Sequence, residues 1–335
     1  ASAAEQTFGY MAPGERMGGT THGVGWGRRN YHPGQKKGDQ TDYGEYNMLN
    51  LEYLAKRSAN NTIDRPIDLD DYVGTWKKRL GSDAWGAWRC TMTKQALEQT
   101  KRGVRPQQLG GNSNAMAMRS AAVFGVFRDE DLAARASDTL MFTNKHQHAL
   151  IGGEFFTRVA HKIVFGDGVT PALALRTTCA EMGARGSGPL ASFVKTQCDK
   201  GFAKFEEVQG GGALSEQPAA VVDDLAMTSM ARLWDVGRSE PIKVGKASPT
   251  EGTMPSVIYM ILKYENQGLA AAARANALVG GDSASRAVAI GMVLGAYFGA
   301  EEGLPGDLER GLNHWKQAQS LLDRLPLVRD AKEEL

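Results

Sequence analysis

Neither sign of charge is in excess in this chain: 39 Lys and Arg stand against 38 Asp and Glu. No overall field therefore draws it to nucleic acid or to an anionic membrane. Long apolar runs are missing too. The nearest approach, Ala287 to Phe298, is interrupted by glycine and falls short of the roughly 18 to 20 residues a membrane span requires. A soluble protein without a membrane span is expected. Cysteine is scarce: Cys90, Cys179 and Cys198 are far apart in sequence, and an odd number leaves at least one thiol unpaired. All three read as small apolar fillers, which suits a reducing compartment. Strand-like patterning is almost absent, with Val221-Val222 its only hint.

What is present is apolar content and helical periodicity. With 335 residues and 42% hydrophobic composition, the chain can bury a large core. Residues 1–40 are rich in glycine, including Gly18-Gly19, Gly23, Gly25 and Gly27, and read as a long arm without regular structure. Residues 41–328 read as a single all-helical domain. Met48, Leu49, Leu51, Leu54 and Ala55 recur at near-helical spacing behind Thr41 or Asp42 as N-cap. Asp68, Asp70 and Asp71 then face the positive end of a second helix dipole, ahead of the stripe Val73, Trp76 and Leu80.

Further helices are expected at Thr91 to Thr100, Ser113 to Phe127, Asp129 to Phe142, His146 to Phe165, Pro171 to Met182, Pro189 to Phe205 and Pro218 to Leu233. Met254 to Tyr264, Gly268 to Leu278, Asp282 to Phe298 and Leu308 to Leu325 complete the set, with Arg329 to Leu335 expected to fray. The fold class is all-α. Tyr72, Trp76, Trp85 and Trp88 read as core and helix contacts rather than a base-stacking platform. Ala1-Ser2-Ala3-Ala4 is the small-residue composition found around processing sites, so a longer precursor, and with it an organelle, is compatible with the sequence; the compartment stays open.

The most informative segment runs from Asn276 to Gly299. A helix ends at Gly280-Gly281, and another begins at once with Asp282 at its N-cap and Ser285 in its first turn. Gly291, Gly295 and Gly299 recur every fourth residue, so one face is smooth enough for another backbone to approach closely. Upstream, Thr41-Asp42-Tyr43-Gly44-Glu45 also opens a helix on an oxygen-bearing pair, and Glu45 lies one turn beyond Asp42, within reach of a shared cation.

These segments resemble the ADP-ribosylglycohydrolase family. Asn276, Gly280, Gly281, Asp282, Ser285, Gly295, Ala296 and Gly299 fit its Asn, Gly-Gly-Asp-x-Asp-Ser/Thr and Gly-Ala-x-x-Gly pattern. Thr41-Asp42 is similar to its Thr-Asp-Asp, and the Tyr-Gly-Glu that follows looks like the J crystallin and selenoprotein J branch. Ser113-Asn114-Ala115-Met116-Ala117-Met118-Arg119 resembles Gly-Asn-Gly-x-x-Met-Arg, and Thr143-Asn144-Lys145-His146-Gln147-His148-Ala149 resembles Thr-His-x-x-x-x-Ala.

The resemblance implies a compact, multi-helix orthogonal bundle with a magnesium site and a cleft for an ADP-ribose-like ligand. Metal-ligand positions fall on Thr41, Asp42, Asp282 and Ser285, and the catalytic positions on Asp42 and Asp282. Ligand-binding positions fall on Asn114, Met118, Arg119, Thr143 and Asn276. Two carboxylates of the family pattern are replaced, by Tyr43 and Ala284. A pair of magnesium ions needs several carboxylates to offset four positive charges, so at most one weakly held Mg2+ is expected.

The ordinary reading of Asp42 and Asp282 as helix caps stands beside the metal-binding one. His146 and His148, two positions apart, do not share a helix face and read as polar contacts at a helix start. Three roles are compatible with these residues. The first is a structural or binding protein, crystallin-like, that has lost hydrolysis. The second is a divergent magnesium-dependent hydrolase of ADP-ribose glycosidic bonds, and the third is a subunit that joins a protein assembly through its N-terminal arm.

Overall fold

The computed structural model of the chain describes residues 36, 38–60, 62–63, 65–83, 85–111, 119–186, 188–211, 219–230, 233–234, 242–243, 248–303 and 311–333. Its helices are α1 (Asp42–Ala59), α2 (Leu69–Leu80), α3 (Thr91–Lys101), α4 (Glu130–Leu140), α5 (Gln147–Phe165), α6 (Pro171–Gly183), α7 (Pro189–Gln209) and α8 (Ala219–Ser229). There follow α9 (Thr250–Tyr264), α10 (Leu269–Val279), α11 (Ser283–Gly303), α12 (Trp315–Leu322) and α13 (Pro326–Glu333). Among the described residues the only extended pairing is two residues long, β1 (Leu233–Trp234) antiparallel to β2 (Ile242–Lys243). The all-α expectation is met, and Val221-Val222 lies inside α8.

Local chemistry sets many of the helix starts. The Asp68 carboxylate accepts from the Asp70 and Asp71 amides, and Asp129 accepts from Leu132 N at 2.8 Å. Thr170 caps α6 at Leu173 N, and Pro171 and Pro189 occupy first-turn positions where no amide donor is needed. Thr41 precedes α1 in extended conformation, but its hydroxyl makes no capping bond; its carbonyl accepts from Glu45 N at 3.0 Å.

Two apolar cores result. The N-terminal core gathers Tyr46, Leu49 and Leu54 of α1, Tyr72 and Trp76 of α2, Trp85, Phe142 and Leu325. Trp76 meets Phe142 edge-on, with ring centroids 4.9 Å apart. The second core holds Phe155, Phe156 and Val159 of α5, Val194 of α7, Ile258 to Ile261 of α9, and Val293 and Leu294 of α11. Phe124 packs against both. Helix α5 touches α4, α6, α7, α9 and α11, and α9 is buried almost all round, as its apolar sequence requires.

Several boundaries differ from the sequence expectation. The expected helix Ser113 to Phe127 is, within the described residues, a turn at Arg119-Ser120 and a single 3-10 turn, Ala121–Gly125. Leu325 lies directly over Gly125, where a Cβ would come within 2.5 Å of Leu325 Cδ1. The expected helix Leu308 to Leu325 is cut to α12, with residues 304–310 outside the description. Pro326 then opens α13 where fraying was expected, because proline pre-sets the first helical turn. Helix α9 starts at Thr250, four residues early, and carries Pro255 inside.

Two further expectations are corrected. Cys179 and Cys198 are not separate apolar fillers: they form a disulfide, Cα to Cα 6.2 Å, and Cys90 alone is free. The pairing was hidden in sequence because it depends on α6 and α7 folding back on each other as a hairpin. The glycine stripe of α11 is likewise not a close helix contact. A Cβ at Gly291 or Gly299 would meet nothing within 4 Å, because α11 packs through Ala289, Ile290, Val293 and Leu294 on its other face. Gly299, at φ 69°, interrupts the helix instead. The close approach occurs at Gly201 of α7, where a Cβ would lie 2.8 Å from Ile258 Cβ.

Candidate functional site

The N-terminal ends of α1 and α11 face one another. Gly280 and Gly281 take positive φ values of 71° and 66°, a turn that glycine makes without strain, and this throws the chain from α10 straight into α11. Asp282 sits at the bend. Its Oδ1 accepts from Ser285 N at 3.1 Å, the N-cap bond read from the sequence. Its Oδ2 accepts from the Tyr43 hydroxyl at 2.9 Å and from the Ser248 hydroxyl.

A buried arginine braces the bend. Arg286 donates through Nε to Asn276 Oδ1 at 2.8 Å and through Nη2 to the Gly280 carbonyl at 2.6 Å. Asn276 in turn donates to the Ser283 carbonyl at 2.7 Å. Both polar atoms of the Asn276 side chain are therefore engaged within the bend. Burial lowers the Arg286 pKa to about 10, with the charge of Asp282 opposing that shift.

Asp42, the first residue of α1, is 4% exposed and its Oδ2 has no hydrogen-bond partner. Burial raises its pKa to about 7, and the neighbouring Asp282 charge adds to the rise; the Cys90 side chain and local backbone bonds work the other way. Burial, then the Asp282 and Asp42 charges, push the Tyr43 phenol well up, so Tyr43 stays protonated and donates. Burial also raises the Cys90 thiol, followed by the Asp42 charge. Ser285 Oγ is fully buried and without a partner.

A second group lines the same end of the N-terminal core. Arg119 is 2% exposed, donates to the Thr143 hydroxyl, and places its guanidinium 3.7 Å from the centroid of the Tyr46 ring. Thr143 Oγ1 donates to Asn144 Oδ1 at 2.8 Å. Nearby, His146 caps α5 by accepting from His148 N at 3.2 Å. His148 Nδ1 lies 2.7 Å from Glu251 Oε1, and its ring stacks on Phe193 at 4.0 Å. His146 makes the helix-start contact expected of it, but the two rings do meet, edge-on at 5.0 Å, because His146 is the N-cap and lies outside the helical spacing.

Of the candidate residues, Asp42, Asp282 and Ser285 fall around one bend, with Thr41 immediately before α1. Arg119 and Thr143 form a hydrogen-bonded pair, and Asn276 lies within the α10–α11 bend. Asn114 and Met118 lie outside the described residues. Glu45 does not turn toward Asp42: it pairs with Arg79 of α2 at 3.0 Å, where the guanidinium fork reaches Glu45 through Nη2 and Glu52 through Nη1. Sequence reasoning missed Cys90, Ser248 and Arg286. Arg286 stood inside the quoted motif without a role. Cys90 and Ser248 sit in loops with no periodicity, so only the tertiary fold brings them to the two carboxylates.

Among the described residues, no group of three or more His, Cys, Asp or Glu side chains is disposed to hold a metal ion. None of the described helices is long and apolar enough to cross a membrane.

An all-helical body with two helix starts meeting at a Gly-Gly-Asp bend, one of them capped by Asp282, defines the class. Residues 9–334 match the family model described as ADP-ribosylglycohydrolase, and the chain belongs to that family. A solved structure titled "ADP-ribosylglycohydrolase-related protein complex" is similar, with a TM-score of 0.55 and 19% identity over 87% of this chain and 82% of that one. That likeness shows the shared fold. No curated protein matches the chain.

Proposed function

We propose that this chain is a binding or structural member of the family, of the J crystallin-like kind, that takes an ADP-ribose-like ligand without magnesium-dependent hydrolysis. The observation that carries this reading is the hydrogen bond from Tyr43 to Asp282. A phenol with a strongly raised pKa occupies the position of one motif carboxylate and is spent on another. Asp282 Oδ2 also takes the Ser248 hydroxyl, and Ala284 contributes no oxygen. Magnesium prefers octahedral oxygen coordination with carboxylates and waters, and a pair of ions needs more negative charge than Asp42 and Asp282 supply. The donor set does not fit a two-magnesium centre.

The test is calorimetric titration of ADP-ribose in EDTA and in millimolar Mg2+, together with an assay for ADP-ribose release from a modified side chain. The same affinity in both buffers, with release at background, is the expected result. Magnesium-dependent release well above background would overturn it.

A second reading is favoured by two orphaned atoms. Asp42 Oδ2 and Ser285 Oγ are buried without partners, and unsatisfied buried oxygens are costly unless something meets them. One weakly held Mg2+ on Thr41, Asp42, Asp282 and Ser285 would answer that need and support a divergent hydrolase of ADP-ribose glycosidic bonds. If Asp282→Ala leaves both Mg2+ affinity and any activity unchanged, this reading fails. The assembly role assigned to residues 1–40 is tested by light scattering on chains with and without residues 1–30.

A further inference from the structure

The one covalent cross-link lies away from Asp42 and Asp282, yet it is joined to them by a short series of contacts. Cys179 of α6 and Cys198 of α7 are bonded, closing a loop of 19 positions. Five residues before Cys198 on the same helix, Phe193 stacks on the His148 ring, with centroids 4.0 Å and planes 7° apart. His148 is held by Glu251 in the first turn of α9. Three residues before Glu251, the Ser248 hydroxyl binds Asp282. Helix α7 also presses on α9 at Gly201, so the placement of α7 bears on both ends of this series.

We propose that the Cys179–Cys198 disulfide is a two-electron redox switch that sets the packing of α7 and, through Phe193, the position of the His148–Glu251 pair. The two sulfurs are not equally accessible: Cys198 is 2% exposed, whereas Cys179 is only half-buried. A dithiol reductant attacks Cys179 Sγ as its thiolate. The Cys179–Cys198 bond breaks, a mixed disulfide forms at Cys179, and Cys198 leaves as a thiolate that takes up a proton. The second thiol of the donor then attacks the mixed disulfide, releasing Cys179 as a thiol and leaving the donor oxidised. Reduction frees α6 from α7 and removes the constraint on the hairpin in the unfolded chain.

The switch does not depend on which ligand the cleft takes, and neither does its test. Full-length protein is released with thiols blocked by an alkylating agent and digested without reductant. A cross-linked Cys179–Cys198 peptide with alkylation at Cys90 alone is expected. Amide hydrogen exchange and the imidazole NMR signals are then compared before and after dithiothreitol, and again after reoxidation. Reduction is expected to speed exchange in α6 and α7, shift the His148 signal and lower Tm by about 5 °C, all reversibly. The double variant Cys179→Ser, Cys198→Ser is expected to match the reduced protein and to ignore dithiothreitol. If it does not fold, the reversible wild-type comparison decides alone. Alkylation of all three cysteines in the unreduced protein overturns the proposal, as does a His148 signal unchanged on complete reduction.

Discussion

The Tyr43 hydroxyl donates a 2.9 Å hydrogen bond to Asp282 Oδ2, across 239 positions of sequence. It ties the first turn of α1 to the cap of α11. Bonds to a charged acceptor contribute about 1.5–3 kcal/mol net, and loss of the donor leaves the carboxylate with the Ser248 hydroxyl and the Ser285 amide. Tyr43→Phe is therefore expected to destabilise the protein by about 2 kcal/mol in denaturant titration. A loss within a few tenths of zero would show that this bond contributes nothing to holding the two helices.

If the missing carboxylates are what prevents metal pairing, restoring them should reverse it. The variant Tyr43→Asp, Ala284→Asp is expected to gain Mg2+ affinity by at least about tenfold over wild type, read by isothermal titration with Ca2+ as the comparison ion. Each single variant should gain less, because one added charge does not offset a second ion. Equal, weak binding in all four proteins would count against the degraded-site reading.

Asp42 sets a pH dependence whose sign follows from its environment. Its pKa in the folded chain is about 7, against 3.8 for the ordinary side chain, because it is buried beside Asp282. Between about pH 4 and 7 the folded chain holds a proton that the unfolded chain has released, so this group's contribution to stability falls as pH rises through that window. Asp42→Asn removes the ionisation. The gain in Tm of the variant over wild type should be larger at pH 8 than at pH 5, measured by calorimetry in matched salt. An equal difference at both values would show that Asp42 is not held protonated.

How much of this was legible in the sequence depends on range. The helices read well because their signals are local: Asp68, Asp129 and Thr170 cap where they stand in the sequence, and Asp282 caps where the Gly-Gly bend required. The ordered motifs gave the family for the same reason, as each is a contiguous run. Interactions that join distant elements were not legible. Ser248 reaches Asp282 from a loop, Cys179 finds Cys198 only once α6 and α7 form a hairpin, and Glu45 turns to Arg79 of α2 rather than to Asp42 on its own helix. Side chains of one type at a given spacing say which face they share, not what will come to meet it.

The glycines make that limit measurable. Gly291 lies in α11 on the stripe that looked built for close packing, yet a Cβ there meets nothing within 4 Å. Alanine loses less conformational freedom than glycine on entering a helix, so Gly291→Ala is expected to stabilise the protein by about 0.5–1 kcal/mol. Gly201 carries no such pattern, but a Cβ there would lie 2.8 Å from Ile258 Cβ and 3.0 Å from the Pro255 carbonyl. Both are fixed parts of a buried helix, so α7 must move off α9, and Gly201→Ala is expected to cost about 1–3 kcal/mol despite its better helix propensity. Chemical denaturation of the two variants beside wild type reads the contrast directly. If Gly201→Ala stabilised and Gly291→Ala destabilised, the close contact would belong to the α11 stripe after all, and the packing of α7 on α9 described above would be wrong.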